Sequence, residues 1–368
     1  MSPGLSSAER RAEREVVAML RGETVEPVDA MLFARTAITH RVAALVLRST
    51  AAGRLPADAS VALFNSAREQ AALTVVRERE LRRVVDALAS EGVDALLMKG
   101  AHLAYAMYPD PVLRPRDDTD LLVRPGQRDT VTRVFQSLGY SPSPAISGAA
   151  VHGQTIFDRA DIPAGDFDVH WRFAGPPLAA DLFDFDALWS RSREVPALSP
   201  FARGPGRADA ITIAAVHLVA HHRHDQRLLW LYDVYLLVGG LNEDECAAFA
   251  RHVRDTRMSA ICADVIRSVE ARFPTERGAR LLSGWRDAGD EPSAALLTPR
   301  GPLQQVRLDV RATRGWRARG VLLAAHLFPP ADYMRTSYAP RSVAPLAWLY
   351  ARRIISGAVK WFGLFLRR

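Results

Sequence analysis

The sequence predicts an α+β protein in which a small mixed β-sheet is flanked by helical regions. Helical periodicity dominates residues 1–90 and returns over residues 176–340. Between them, residues 91–175 contain short apolar runs bounded by glycine, proline and aspartate, which are typical of strands and turns. The order strand–helix–strand–helix–strand–strand in this middle segment indicates a small mixed sheet. A basic, aromatic helix at 341–368 is predicted as a fourth region.

The individual elements follow from periodicity and turn residues. The long helical pattern from "ADASVALF" to "ALASEG" ends at Gly92, because glycine terminates helices readily. The predicted strands are "VDALLMKG", "TDLLV", "HGQTIFDR" and "DFDVHWRF", with the last two paired across "ADIPAGD". "AHLAYAMY" and "PGQRDTVTRVFQSLGY" are predicted helices, and the second ends at Gly139. Later helices are expected in "ADAITIAAVHLVAHHRH", "RLLWLYDVYLLV" and "EDECAAFARHVRDTRMSAICADVIRSVEARF", with loops near 196–207 and 290–303.

The composition indicates a globular protein with anionic partners. The net charge of +7 favours nucleotides, nucleic acid or acidic lipid, but no known nucleic-acid-reading motif occurs, so nucleic acid is not an expected partner. Cys246 and Cys262 form no metal-binding pair and are read as reduced thiols. The N-terminus lacks the apolar core of a signal peptide, and no window has the roughly 18 apolar residues of a membrane span. These features predict a cytoplasmic protein.

The stretch "RPRDDTDLLVRPG" places three aspartates directly before a strand. Because side chains alternate along a strand, Asp118 and Asp120 point to one face and converge on one point. Oxygen ligands in this arrangement suit Mg²⁺, with Mn²⁺ as the alternative ion. Asp117 is interpreted as a solvated turn residue. A turn decorated with acidic residues remains the alternative for the whole cluster.

A third carboxylate is available from the strand "DFDVHWRF", where Asp166 and Asp168 share a face. Three carboxylates on two adjacent strands can hold the two metal ions that assist in-line phosphoryl displacement. We expect His170 to lie on the face opposite Asp168 and to serve as structural support. Upstream, "MKG" ends a strand and opens a helix, where backbone N–H groups and Lys99 could bind a phosphate chain. Of the 48 basic residues only Lys99 and Lys360 are lysines.

The segment "LLMKGAHLAYAMYPDPVLRPRDDTDLLV", with "DFDVHWRF", "HLVAHHRHDQRLLWLYDV" and "LFPPADYMRTSY", resembles the bacterial family of uncharacterised nucleotidyltransferases within the polymerase-beta-type superfamily. The resemblance spans most of residues 90–335. It implies that Asp118 and Asp120 are the metal-binding pair and that Asp168 is the third carboxylate, placed to take a proton from the acceptor. It also implies an NTP substrate, with ATP expected, and a nucleotidyltransferase core at 91–175.

The phosphate-binding turn departs from the superfamily pattern, which usually has Gly-Ser after the first strand. This chain has Lys99 and Gly100 there, followed by alanine. Phosphate binding is therefore assigned to Lys99 and Gly100 in place of the missing serine. Arg114 and Arg116 precede the carboxylates and are predicted to bind nucleotide, with a solvated loop as the alternative.

Two further groups of residues have open interpretations. His217 and His221, with His224, share one helix face, and with Asp233 they are predicted to face the acceptor side of the cleft; histidines inside a helical bundle are the alternative. Residues 345–368 carry five basic and no acidic side chains among aromatic residues, which indicates peripheral contact with the inner membrane face or, alternatively, a packed terminal helix.

The sequence thus predicts a Mg²⁺-dependent nucleotidyltransferase that moves a nucleoside monophosphate from an NTP to an unidentified acceptor, which is a small molecule, a peptide or a protein. The alternative is a catalytically silent nucleotide-binding or membrane-surface accessory protein with the same fold. The Lys-Gly turn favours this alternative, and the intact set of three carboxylates argues against it.

Overall fold

The computed structural model describes most of the chain. The described residues are 6–49, 52–143, 153–162, 165–173, 183–221, 226–285, 291–298, 306–307, 309–311, 313, 315–328, 331, 334–335 and 345–353. The described part is an α+β fold with a mixed seven-stranded sheet and flanking helices, so the predicted fold class is confirmed.

Four helices precede the sheet, namely α1 (Ser7–Leu20), α2 (Ala30–Thr39), α3 (Ala43–Arg48) and α4 (Ala57–Ser90). Helix α1 begins at a capping box in which Ser6 and Glu9 each accept a hydrogen bond from the other's backbone N–H. Helix α4 is the predicted long helix. It ends where Gly92 adopts a φ of +69°, a left-handed conformation that glycine reaches without steric cost.

The sheet contains strands β1 (Ala95–Leu97), β2 (Thr119–Val123), β3 (Ser141–Pro142), β4 (Gln154–Asp158), β5 (Phe167–His170), β6 (Arg193–Glu194) and β7 (Arg203–Gly204), in the spatial order β3-β4-β5-β2-β1-β7-β6. Helices α5 (Lys99–Ala106) and α6 (Arg128–Ser137) follow β1 and β2. Strand β2 runs antiparallel to β1 and parallel to β5, and β4 pairs antiparallel with β5 as predicted. Strand β7 lies within the predicted loop near 196–207, and its pairing with β1 carries the sheet beyond residue 175.

Helix α7 (Phe185–Arg191) lies between β5 and β6 in the chain. The helices after β7 are α8 (Arg207–Val216), α9 (Leu228–Gly239), α10 (Glu243–Asp255), α11 (Ser259–Glu270), α12 (Glu276–Ser283), α13 (Ala294–Leu297) and α14 (Trp316–Leu327). Helix α8 continues into a π-helical turn at His217–His221. The predicted single helix over 243–273 is instead two helices, α10 and α11. Arg257 separates them because its left-handed φ of +56° interrupts the helical ladder.

Alternation along the strands divides the core into two layers. Leu121 and Phe167 point to the side covered by α4 and α6, whereas Leu96 and Leu122 point to the core shared by the N-terminal helices and the helices after β7. A buried ion pair between Arg272 and Glu13 joins the two ends of this helical core, with Nη2 3.0 Å from Oε1. The face of the sheet that carries Leu122 is also the face that carries the polar residues described next.

Candidate active site

A cavity of about 280 Å³ lies where β2, α5, α8 and α9 meet. One end of its wall is charged and includes Lys99, Asp118 and Asp120; the other is apolar and aromatic and includes Leu218 and Trp230. A concave site with an apolar wall and a few convergent polar groups is the usual form of a small-molecule site. The predicted strand-to-helix turn and the predicted carboxylate strand therefore meet in one cavity.

The strand register brings two of the predicted carboxylates together. In the parallel pair β2–β5, Asp120 stands opposite Asp168 and Leu122 stands opposite His170. These four side chains share one face of the sheet because residues two apart on a strand point the same way. The expectation that His170 faces away from Asp168 is therefore wrong. Ligand atoms of Asp120, Asp168 and His170 all lie within 4.8 Å of one another.

Hydrogen bonds link this group but leave two atoms without partners. His170 Nε2 is 3.0 Å from Asp120 Oδ1 and 3.4 Å from Asp168 Oδ2, and the Gln154 side-chain amide donates to the latter oxygen at 3.1 Å. Among the described residues, Asp168 Oδ1 and His170 Nδ1 are buried and make no hydrogen bond. Buried polar atoms are rarely left unsatisfied, and here an acceptor oxygen lies in the same close group as the Asp120 carboxylate. This donor set suits a cation.

Lys99 supplies a cation to the same group. The residue follows β1 with a φ of +47°, and its Nζ lies 2.6 Å from Asp120 Oδ1. A left-handed non-glycine residue costs about 1–3 kcal/mol and is often found at functional sites. Burial opposes the charge of Lys99, but Asp120, Asp118 and Asp168 together raise the pKa of its ammonium. In Asp120, burial is likewise outweighed, and Lys99 and His170 hold the pKa of the carboxyl well below its usual range.

The other two carboxyl groups shift in the opposite direction. The negative charge of Asp120, and then burial, raise the pKa of Asp118 to about 6, although the side chain is exposed at the cavity. Burial raises the pKa of Asp168 above its ordinary value. Three carboxylates this close repel one another, so a cation among them is favoured. Asp118 lies one residue before β2 and lines the cavity. Asp168 lies opposite Asp120 on β5 and does not itself line the cavity.

Arg114, Gly100 and Asp233 form a separate buried group in the same wall. Arg114 donates to Asp233 through Nε at 3.2 Å and Nη2 at 2.6 Å, and to the Pro115 carbonyl through Nη1 at 2.9 Å. The Tyr108 hydroxyl donates to Asp233 at 2.8 Å. A Cβ at Gly100 would meet Arg114 Nη1 at 2.5 Å, so the absence of a side chain there gives the guanidinium its place. In the structure, Arg114 and Asp233 pair with each other. Phosphate binding by Arg114 and an acceptor role for Asp233 stay predictions.

Of the remaining predicted site residues, the structure places Arg116 and His217 at the cavity. Arg116 is buried and lines the cavity, and Asp117 is exposed and paired with Arg41. His217 lines the cavity and packs edge-on against Trp230, with ring centroids 5.6 Å apart. His221 ends the π-helical turn, and its side chain, like His224, lies outside the described residues.

Two residues of the site were missed in the sequence. His170 could have been found, since its spacing of two from Asp168 places both side chains on one face of a strand. Trp230 carries no local signal that separates a cavity wall from a buried helix face, because that difference depends on the packing of α9 against α8.

Comparison with known protein families gives one match. The family described as "Uncharacterised nucleotidyltransferase" matches residues 26–274, which is more than half of the chain. Among curated proteins and solved structures, none matches this chain. The matched range includes α2 to α11, all seven strands and every residue of the cavity described above.

Within the described residues, no helix has the length and apolar character needed to cross a membrane. The described residues of the C-terminal region are 345–353, which are helical from 346, and residues 354–368 lie outside them. Membrane contact through 345–368 therefore stays a prediction.

Proposed function

This chain belongs to the uncharacterised nucleotidyltransferase family, and from that premise we propose that it transfers a nucleoside monophosphate from an NTP, with ATP as the expected donor, to an acceptor. One observation carries the proposal. Asp120 and Asp168 stand opposite each other on paired strands, with Asp118 two residues before Asp120 at the edge of a cavity. A carboxylate group beside a ligand-sized cavity is the arrangement that phosphoryl-group transfer requires.

A divalent metal ion fits this group of residues. Asp168 has a buried carboxylate oxygen without a hydrogen bond among the described residues, and the ammonium of Lys99 already lies against Asp120. Asp118, Asp120 and Asp168 would hold the ion; carboxylate oxygens suit Mg²⁺, and the imidazole of His170 makes Mn²⁺ equally acceptable. When bound, the ion would neutralise phosphate charge and stabilise the attacking and leaving oxygens.

The chain's own residues would supply the remaining parts of the reaction. Burial raises the pKa of Asp168, which makes its carboxylate a better proton acceptor for a nucleophilic group of the acceptor. Lys99 would exchange its contact with Asp120 for a phosphate oxygen, because a flexible ammonium can reach either partner. Lys99 and Gly100 open α5, where backbone N–H groups favour anions, and the Arg114 guanidinium takes the space beside Gly100.

The apolar end of the cavity would hold the base or the acceptor. Ile213, Leu218 and Trp230 line it, and Arg227 lies over the Trp230 ring at 4.4 Å. A flat ring between aromatic and aliphatic side chains would bury apolar surface at little conformational cost. The acceptor is proposed to be a group with a nucleophilic oxygen or nitrogen, on a small molecule or on a peptide side chain.

The test is nucleotide binding and pyrophosphate release by purified protein with each NTP, with and without Mg²⁺ or Mn²⁺. Asp118→Asn and Asp120→Asn should abolish metal-dependent NTP binding, whereas Asp168→Asn should reduce turnover more than binding. Asp166→Asn is the matched control, because Asp166 lies one residue before β5, is exposed, and is not one of the three proposed metal-binding carboxylates. Unchanged metal and NTP binding in all three variants would contradict the proposal.

A second candidate function is a catalytically silent nucleotide-binding protein. The observation in its favour is the Lys99–Asp120 contact at 2.6 Å, in which a protein cation takes the place beside Asp120 that a metal ion needs. Such a protein would bind NTP with no dependence on divalent metal and would release no pyrophosphate with any acceptor. Metal-dependent binding separates the two candidates before an acceptor is known.

A further inference from the structure

Three arginines lie close together outside the carboxylate group, and two of them, Arg41 and Arg116, line the same cavity. We call Arg41, Arg77 and Arg116 the arginine cluster. Arg41 follows α2, Arg77 is in α4 and Arg116 precedes β2, so two of the three come from the N-terminal helical region. No role was predicted for Arg41 or Arg77 from the sequence.

Arg116 is the best-defined member of the cluster. Its side chain is only 3% exposed and lines the cavity, and its guanidinium lies over the Tyr105 ring at 5.6 Å. Nη2 is 3.5 Å from the Tyr105 hydroxyl, the limit of a hydrogen bond, while Nε and Nη1 are buried without a partner among the described residues. An unsatisfied buried charged donor is costly, and here Nε and Nη1 lie on different edges of one guanidinium, so together they can donate to two separate oxygens of an anion with several oxygens.

The rest of the cluster increases the positive charge around Arg116. Arg77 is buried and donates through Nη2 to the Asp117 backbone carbonyl at 3.3 Å. Burial, and then the nearby charges of Arg116 and Arg41, lower the pKa of the Arg77 guanidinium, although the carboxylates of Asp117 and Asp118 act in the opposite direction. The carboxylate inside the cluster is that of Asp117, which is 67% exposed and pairs with Arg41.

Three guanidiniums around one exposed carboxylate leave an excess of positive charge in a partly buried site. An anion with several oxygens would satisfy the open donors of Arg116 and reduce the repulsion on Arg77. The cluster adjoins the carboxylate group, because Arg116 and Asp118 are separated by one residue and line the same cavity. The anion would therefore lie next to the proposed metal ion.

We propose that the arginine cluster binds the terminal phosphate groups of the nucleotide, the part that leaves as pyrophosphate. The inference rests on the proposed function for the identity of the ligand. Arg116 would bind two phosphate oxygens through Nε and Nη1. Asp117 would compete with the phosphate for Arg41, so it weakens binding of the terminal phosphates rather than supporting it.

The experiment measures binding of pyrophosphate and tripolyphosphate by calorimetry in EDTA, with no divalent cation, and binding of ATP and AMP in excess Mg²⁺. Arg116→Gln should weaken ATP and tripolyphosphate binding by about tenfold to a hundredfold and leave AMP binding unchanged, since a hydrogen bond to a charged group contributes about 1.5–3 kcal/mol. Arg116→Lys should lose most of the same affinity because it keeps the charge but not the fork. Arg133→Gln, exposed on α6 on the other side of the sheet, is the control for net charge and should change affinity less than twofold.

Asp117→Asn provides a test of opposite sign in a residue that is exposed and therefore tolerant of substitution. It should strengthen pyrophosphate and ATP binding by about two- to fivefold, as expected for loss of a partly screened competing charge. Circular dichroism and the Tm of each variant establish that it is folded. Unchanged affinities in both Asp117→Asn and Arg116→Lys would overturn the inference.

The outcomes separate this inference from the proposed function. ATP cleavage with unchanged ATP affinity in Arg116→Gln would overturn the inference and leave the function intact. Arg116-dependent binding of pyrophosphate without any ATP binding would sustain an oxyanion site and overturn the function. If Arg116→Gln lost only the binding of inorganic phosphate to the ATP-saturated protein, the cluster would serve a phosphorylated acceptor, and the assignment to the nucleotide would be wrong.

Discussion

Two buried ion pairs line the same cavity, and they differ in how completely their hydrogen-bonding atoms are satisfied. In the Arg114–Asp233 pair, the guanidinium binds both carboxylate oxygens and a backbone carbonyl, and Tyr108 donates to the same carboxylate. In the Lys99–Asp120 pair, a single contact lies among two more carboxylates and an imidazole. Burial alone would give both pairs the same interpretation.

The difference indicates that the two pairs serve different purposes. In the Arg114–Asp233 pair each charged group already has an opposite charge as its partner, and opening the pair would leave a buried charge without compensation. The Lys99–Asp120 pair has repelling neighbours and an unsatisfied oxygen on Asp168, so we expect that exchange of the lysine for a metal ion would lower the free energy of the group. We therefore interpret Arg114–Asp233 as a structural pair and Lys99–Asp120 as a pair that a ligand can exchange.

The largest expected effect is on the structural pair. Asp233→Asn should reduce the free energy of unfolding by about 3–5 kcal/mol, because it leaves the Arg114 charge buried and unpaired. Urea denaturation measures the loss. The control is Asp186→Asn. It breaks an ion pair with Arg124 in which the Asp186 carboxylate is 72% exposed, so it should reduce the free energy of unfolding by less than about 1 kcal/mol. Equal losses of unfolding free energy in the two variants would show that the buried Arg114–Asp233 pair stabilises the fold no more than an exposed ion pair does.

Lys99→Met should destabilise the protein only when no divalent cation is present. Without the ammonium, Asp118, Asp120 and Asp168 repel with no cation among them, and a loss of about 2–4 kcal/mol is expected. Mg²⁺ or Mn²⁺ should restore most of that loss, because the ion takes the position of the ammonium. Thermal unfolding in EDTA and in excess metal tests this. A loss of stability that metal does not recover would show that Lys99–Asp120 is structural like Arg114–Asp233.

Asp120→Asn should have a smaller effect on stability than Asp233→Asn. It removes the contact with Lys99 but also relieves repulsion by Asp118 and Asp168, so a net loss of about 1–2 kcal/mol is expected. The increase in Tm that metal produces in the wild type should disappear. A metal-induced increase that survives in this variant would place the ion elsewhere.

The smallest expected effect is a pH dependence from Asp118. Its pKa is raised to about 6 in the folded protein, so between pH 4 and 6 the folded state holds more protons than the unfolded state. The free energy of unfolding of the metal-free protein should therefore fall as the pH rises through this window. Asp120 opposes this only below pH 4, since its pKa is depressed and it is ionised in both states above that pH.

Asp118→Asn should reduce the slope between pH 4 and 6, with a remainder from Asp168, whose pKa burial also raises, and saturating metal should flatten the slope in the wild type. The effect is modest because Asp118 is exposed to solvent, which screens its repulsion by Asp120. Urea denaturation at intervals of pH gives the slopes. If the free energy of unfolding of the wild type rose between pH 4 and 6, the fold would stabilise Asp118 as the carboxylate, and repulsion by Asp120 would not control its pKa.

The sequence by itself determined the elements that local patterns specify. Helix α4, strand β2 and the paired strands β4 and β5 follow from apolar periodicity and turn residues, and the placement of Asp118 and Asp120 at one cavity follows from the alternation of side chains. The same alternation also applied to His170, so that residue was within reach of the sequence. Local rules suffice here because a strand sets the direction of its own side chains.

Only the tertiary structure decided which charged residues face each other. Arg114 and Asp233 are 119 positions apart, and the arginine cluster draws on α4 and on the residue after α2. The interruption at Arg257 and the pairing of β7 with β1 likewise depend on packing. Charge carries no periodic signal that identifies a distant partner, so the partner is chosen when burial makes an unpaired charge too costly to keep.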